Sequence, residues 1–321
     1  MRPRHLLSVL VIMALFGSAY PVGKIAVGHF PPFAFATLRS ILLALALLPL
    51  WRLRLPARAQ RPALVGFCLA MGVGVYATMY GSLRIGTTVS PIVIGMQLSV
   101  PFAVLLGRLF LGERVRPLTW AAIVAAFFGI VLIGIEPELV HDLPALGLTA
   151  LSALCYASAT LFARSLRDLS PFTMNGWMAV IAIPPLALLS WALEDGQWRA
   201  VATAGALDWA ILAHAALAVS LLGHVWMFSL YRHYPVASVI PYYVLMPVFG
   251  VVFSVFLFRE IPSPQTLVGG CIVLAAVWLV NRTTRGPGRP ATVTTAPEPA
   301  AAELPDNGDT PLRPSPARRE P

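Results

Sequence analysis

The chain has one lysine, Lys24, against 22 arginines, and only 12% of its 321 residues are charged. Soluble domains carry about 25% charged residues, so an ordinary water-facing surface is excluded. Acidic residues are missing from the interior of the apolar runs. Outside the C-terminal segment, Glu113, Glu136, Glu138, Asp142, Asp168, Glu194, Asp195, Asp208 and Glu260 all lie in loops or at the ends of runs. A proton relay resting on a carboxylate deep in the membrane is thereby excluded. Cysteine is equally sparse. Cys68, Cys155 and Cys271 stand alone in apolar segments without a CxxC, which argues against a disulfide framework and a thiolate metal site. There is no HExxH, GxSxG or phosphate-binding loop, so the expectation is no enzyme, no cofactor, no metal and no direct ATP coupling.

What is present is hydrophobic: 58% of residues, with a mean hydropathy of +0.76. A spanning helix needs about 20 mostly apolar residues. Ten runs qualify, at 6–28, 33–51, 62–83, 87–111, 117–135, 144–164, 172–193, 207–231, 236–258 and 265–281. The first imitates a secretory signal, but its apolar character resumes through Ile25, Ala26 and Val27, so an uncleaved helix is expected. Arginine sets the orientation. With the N-terminus inside, nine arginines fall in cytoplasmic loops (52, 54, 58, 61, 114, 116, 164, 167, 232) and three outside (84, 199, 259). Both termini are expected in the cytoplasm of a multi-pass protein of the cell membrane. The formal charge of +9 is spread along the ends of the runs, a distribution that argues against nucleic-acid binding. Residues 283–321 are Pro-rich without an apolar run and read as a disordered tail.

The fourth and ninth runs resemble each other. "VSPIVIGMQLSVPFAVLLGRLFLGERVRP" and "VASVIPYYVLMPVFGVVFSVFLFREIPSP" each carry two prolines, an apolar stretch, an acid and a further proline. "SAYPVGKIAVGHFPPF" and "SATLFARSLRDLSPF" open the two halves. Five spans followed by five implies repeats 1–140 and 141–282 of opposite orientation. In transporters built this way the substrate site lies at the midplane between the repeats, beside Pro-interrupted spans. The prolines in question are Pro91, Pro101, Pro241 and Pro247, each expected to free the carbonyl four residues earlier.

The ten runs, the repeat, "SAYPVGKIA…PPFAFATLR" and the "FLGE" and "FLFRE" ends together resemble the EamA-type drug/metabolite transporters over residues 6 to 282. That resemblance implies an all-α integral membrane protein in which ten helices, as two inverted five-helix repeats, surround a central cavity. It implies export of small metabolites, often amino acids.

Substrate-binding candidates are the cations Lys24 and Arg39 and the polar or aromatic residues Tyr76, Tyr80, Gln97, Trp177, Trp226 and Tyr242. Lys24 and Arg39 should lie at one depth of a hairpin, where either snorkels to the surface or attracts an anionic group. With the repeats aligned on their "PPF" and "SPF" ends, Ala163 and Met178 match Lys24 and Arg39, so a cationic site belongs to one half only. His214 and His224 in the eighth run are expected to be structural, and Glu113 and Glu260 to favour the N-termini of the helices that follow them. The expected partners are a small-molecule substrate and the lipid bilayer, with homodimerisation left open. Alternatives to metabolite export are uptake of a small anionic solute, or a membrane protein without transport.

Overall fold

A computed structural model of the chain describes residues 3–49, 55–166, 168–223, 226, 227, 230, 234 and 239–284. All regular structure among these residues is helical. The main helices are α1 (Pro3–His29), α2 (Pro32–Leu47), α3 (Arg58–Ile85), α4 (Ser90–Leu111), α5 (Pro117–Gly134), α6 (Leu143–Ala163), α7 (Pro171–Leu193), α8 (Ala206–Gly223), α9 (Tyr242–Phe258) and α10 (Pro264–Thr283). Eight are long and apolar enough to cross a membrane, whereas α2 and α9 are apolar but shorter. A short helix, Gln197–Thr203, precedes α8 and was not expected from the sequence.

The helix starts follow from local chemistry. Proline occupies the first turn of α2, α5, α7 and α10, where its missing N–H costs nothing. Ser170 and Ser263 accept the N–H groups of Thr173 and Thr266 at 3.1 and 2.9 Å and so cap α7 and α10. At the far ends of α4 and α9 the matching residues Gly112 and Arg259 are both left-handed, with φ of 64° and 56°. Glycine takes that conformation freely and arginine does not.

Four of the helices are irregular inside. In α4 a 3-10 stretch, Met96–Leu98, falls where Pro101 withholds a donor from the Gln97 carbonyl. A 3-10 stretch, Ile240–Val244, leads into α9 and overlaps its first residues, and Pro247 withholds a donor from Tyr243 in the same way. Pro91 and Pro241 sit in first turns and free no carbonyl inside a helix, which corrects the expectation that all four prolines do so. In addition α3 and α8 contain π-type stretches, Cys68–Val75 and His214–Gly223.

The helices pair in a pattern. α5 lies along α10, α2 along α7, α1 along α9, and α4 along α6, while α3 packs on α6 and α7. Gly129 and Gly269 let α5 and α10 touch: a Cβ on either would stand 2.8 or 2.7 Å from the other's carbonyl oxygen. Large apolar residues cover the outside, including Val124, Leu188 and Phe256 at 65%, 62% and 77% exposure. Such a surface suits lipid and not water. The expected tail, apart from Thr283 and Thr284, and His224 and Arg167 lie outside the described residues.

Candidate functional site

A cavity of about 480 Å³ lies where eight helices meet, all but α5 and α7. The irregular segments build it. Met96 and Gln97 come from the 3-10 stretch of α4, Tyr243 and Val244 from that of α9, Met71 and Val75 from the π-type stretch of α3, and Ala215 and Val219 from that of α8. Tyr76 and Tyr80 of α3 face it with stacked rings 6.0 Å apart. At one end it reaches the surface beside Asn281 and the exposed Arg282 of α10. Among the described lining residues none is Asp or Glu.

Arg39 is the charge buried in this wall, at 2% exposure. Its Nη2 donates to the Tyr76 hydroxyl at 2.7 Å and to the Ser220 hydroxyl, and its guanidinium carbon lies 3.7 Å from the centre of the Tyr76 ring. No carboxylate among the described residues pairs with it. The Gln97 side chain is also buried, at 8% exposure, and its Nε2 has no partner among the described residues.

Beyond Tyr80 the cavity is closed by rings. Phe35 meets Tyr80 edge-on at 5.0 Å, Phe30 stacks on Phe35 at 5.9 Å, and Trp209 lies 6.3 Å from Phe30. Outside these rings is a polar collar that joins segments distant in sequence. Lys24 donates to the carbonyl of Leu83 at 2.8 Å and to that of Gly86, satisfying the open C-terminal end of α3. Arg84 does the same for Val27 near the end of α1. Asp142 accepts the backbone N–H and the hydroxyl of Thr87. Glu194 accepts the N–H groups of Phe33 and Ala34 at the start of α2, and Glu260 that of Val89 at the start of α4. Burial pushes the Glu260 carboxyl above the usual glutamate range. The N–H of Val89, the Lys24 ammonium and the N–H of Ser90 pull it back, and Asp142 pushes the same way as burial.

Glu260 therefore favours a helix N-terminus, but that of α4 and not of the helix that follows it. Glu113, expected to serve α5 beside Arg114 or Arg116, instead pairs with Arg164 at 2.7 Å. This pair also corrects the match of Lys24 with Ala163. Aligned on "SAYPVGK" and "SATLFAR", Lys24 corresponds to Arg164. In each repeat the first helix thus carries a cation toward the acid that follows the fourth helix of the other, in contact for Arg164 and Glu113 and within electrostatic reach for Lys24 and Glu260. Arg39, by contrast, keeps Met178 as its counterpart.

Of the candidates named from sequence, Arg39, Tyr76, Tyr80 and Gln97 line the cavity. Lys24 belongs to the collar. Trp177 packs on the side of α7 that faces Leu47, Leu64 and Cys68. Trp226 and Tyr242 pack against Val9, Ile12 and Met13 of α1, and the neighbour Tyr243 reaches the cavity. Sequence reasoning missed Tyr20, Tyr156, Trp278 and Asn281, which also line it. His214 donates to or accepts from Ser18 at 3.1 Å, outside the cavity wall.

Relatives of the chain agree on its type. It is 26% identical to a Salmonella typhimurium protein named "Probable amino-acid metabolite efflux pump", over 87% of this chain and 97% of that one. It is also 26% identical to a "Probable terminal-alkyne amino-acid exporter" of Streptantibioticus cattleyicolor, over 88% and 95% of the two chains. A "Riboflavin transporter" of Rhizobium johnstonii is 30% identical over 59% of this chain and 61% of its own. A solved crystal structure shares the fold with a TM-score of 0.58 at 17% identity, covering 85% of this chain and 95% of that one. Residues 4–135 and 143–282 each match the EamA-like transporter family, and the chain, a multi-pass helical membrane protein carrying this domain twice, belongs to that family.

Proposed function

We propose that the chain is a secondary transporter that exports a small organic metabolite, an amino acid or a related solute, across the cell membrane. The observation that carries this reading is the cavity of about 480 Å³, walled by side chains of both family repeats, with a single buried guanidinium in its lining. A volume of that order takes one small organic molecule. The relatives named as amino-acid efflux pumps and exporters support the direction and the substrate class.

The same reading has ten spans, with α2 and α9 completing the set, and two repeats, 1–140 and 141–282, inserted in opposite orientations. The helix pairing supports it. Exchanging the repeats turns the α1–α9 pair into α6–α4 and leaves α2–α7 and α5–α10 unchanged, as a two-fold relation between them requires, and five spans in each repeat would put that axis in the membrane plane. With both termini cytoplasmic, the Arg282 end of the cavity faces the cell interior and the aromatic rings and collar close the outside. Export then proceeds by opening the collar while the inner end closes.

Comparison of intracellular and secreted metabolites in cells with and without the gene tests this. A small organic solute should be depleted outside and enriched inside when the gene is absent. Unchanged distributions for every small solute would overturn the reading, and the reverse change for an anionic solute would establish uptake instead.

A further inference from the structure

We infer that the cavity selects its solute by a carboxylate seated on Arg39 and by an apolar, preferably planar, body, and that an α-amino group is not required. This rests on the cavity being the substrate site. A guanidinium has five N–H donors. In Arg39 those of Nη2 are used by the hydroxyls of Tyr76 and Ser220, while Nη1 and Nε have no partner among the described residues. Burying a charge without a counter-charge is costly, and two hydroxyls and a ring offset only part of that cost. A carboxylate entering the cavity supplies the missing counter-charge through charge-assisted hydrogen bonds in the geometry a guanidinium favours. Gln97 Nε2, buried and without a partner among the described residues, offers a further neutral donor in the lining.

The rest of the lining says what the carboxylate is attached to. Tyr20, Tyr76, Tyr80 and Trp278 present ring faces or edges, and Met71, Met79, Met96 and Met246 present thioethers. Thioethers adapt to an apolar body of varied shape, and the rings favour a planar one. An ammonium group finds carbonyls and rings but no counter-charge. The described lining contains no carboxylate, and its charges, Arg39 and Arg282, are both positive. An amine held close to Arg39 would meet a like charge in a water-poor setting, where repulsion is weakly screened. Aryl and alkyl carboxylic acids without an amino group therefore belong to the same substrate class as amino acids with apolar side chains.

The test uses the full-length purified protein and three probes that share a phenyl body: 3-phenylpropionate, phenylalanine and 2-phenylethylamine. Binding is measured by calorimetry, and counterflow of each probe is measured in proteoliposomes. The expected result is that 3-phenylpropionate binds at least as tightly as phenylalanine, and that the amine binds about 30-fold or more weakly. Arg39→Gln should weaken both acids by about 30-fold or more and should not weaken the amine. Amine binding within about threefold of the acid, phenylalanine binding without 3-phenylpropionate, or no binding of either acid would each overturn the inference. If Arg39→Gln does not yield a monodisperse protein, the comparison of acid and amine in the wild type still decides. Movement of another solute without binding of the acids would leave the transporter reading standing and this inference refuted. Binding of the acids without counterflow would support the carboxylate seat and count against transport.

Discussion

Arg164, at the end of α6, and Glu113, just after α4, meet at 2.7 Å and tie the two family repeats together at one end of the bundle. Lys24 and Glu260 occupy the corresponding places at the other end, within electrostatic reach of each other. The two pairs differ in surroundings. Arg164 and Glu113 have side chains about a third exposed, and water screens them. A double-mutant cycle of Arg164→Gln and Glu113→Gln, read by thermal unfolding in detergent, should give a coupling of about 0.2–1 kcal/mol. A coupling well above that range would mean that the pair is buried in the folded protein.

Glu260 should make stability depend on pH. Its folded-state carboxyl titrates above the ordinary glutamate value, with burial the largest cause. A raised pKa contributes stability that is full below the unfolded value and is lost as pH rises through the folded one. The Tm of the wild type minus that of Glu260→Gln should therefore fall as pH is raised through this window. A difference that stays flat, or rises, would mean that the N–H of Val89 and the Lys24 ammonium outweigh burial at Glu260.

Phe35 stands between Tyr80 and Phe30 in the aromatic closure and is fully buried. Removing its ring in Phe35→Ala should destabilise the protein by about 3–5 kcal/mol. It should also speed labelling of a cysteine placed at Tyr80 by a membrane-impermeant thiol reagent added outside. Phe35→Leu, which keeps most of the volume, should do much less of both. Equal labelling rates in the three backgrounds would show that the rings are not the barrier.

Arg259 adopts the left-handed conformation that Gly112 adopts at the matching helix end. Left-handed backbone costs a residue with a Cβ about 1–2 kcal/mol. Glycine gives back part of that gain through its freer unfolded chain, so Arg259→Gly should stabilise by about 0.5–1 kcal/mol. A measured loss of stability would assign the Arg259 side chain a contact worth more than its strain.

Topology can be read with single cysteines at Ala57 and Val140, both exposed, in a variant from which Cys68, Cys155 and Cys271 have been removed. The neighbouring Leu139 is buried and would not report. An impermeant reagent should label Ala57→Cys only after the inside is opened to it, and Val140→Cys directly. Labelling of both from one side would remove the ten-span arrangement.

The parts of the structure legible in the sequence are those set by local chemistry. Apolar runs mark the helices, first-turn prolines mark their starts, and Pro101 and Pro247 mark two of the breaks. Partners that lie far away along the chain left no local mark. Nothing near Glu194 points to the N–H groups of Phe33 and Ala34, and nothing near Lys24 points to the carbonyls of Leu83 and Gly86. For that reason Lys24 and Arg39, expected at one depth with one choice of fates, separate into a collar residue and a cavity residue. The π-type stretches were equally hidden. Gly72 and Gly74 lie in one of them, but a shift from α to π bonding depends on how neighbouring helices press on it, and Gly72 sits hard against Met178 and Ala182 of α7. Trp177 shows the converse limit, because an aromatic tip on an apolar helix reads alike whether it faces a cavity or a neighbouring helix.

Arg39 has Met178 at the matching place of the second repeat, where that methionine is packed tightly and shut off from water. The halves of this gene are consequently no longer interchangeable copies. A recombination event that overwrote the second half with the first would place a second guanidinium against the backbone of Gly72, where Met178 now fits. The reverse event would leave the cavity without its buried charge. The likeness of the two repeats thus stops at this position, where one copy needs a charge beside a cavity and the other a neutral side chain that fits against a helix backbone.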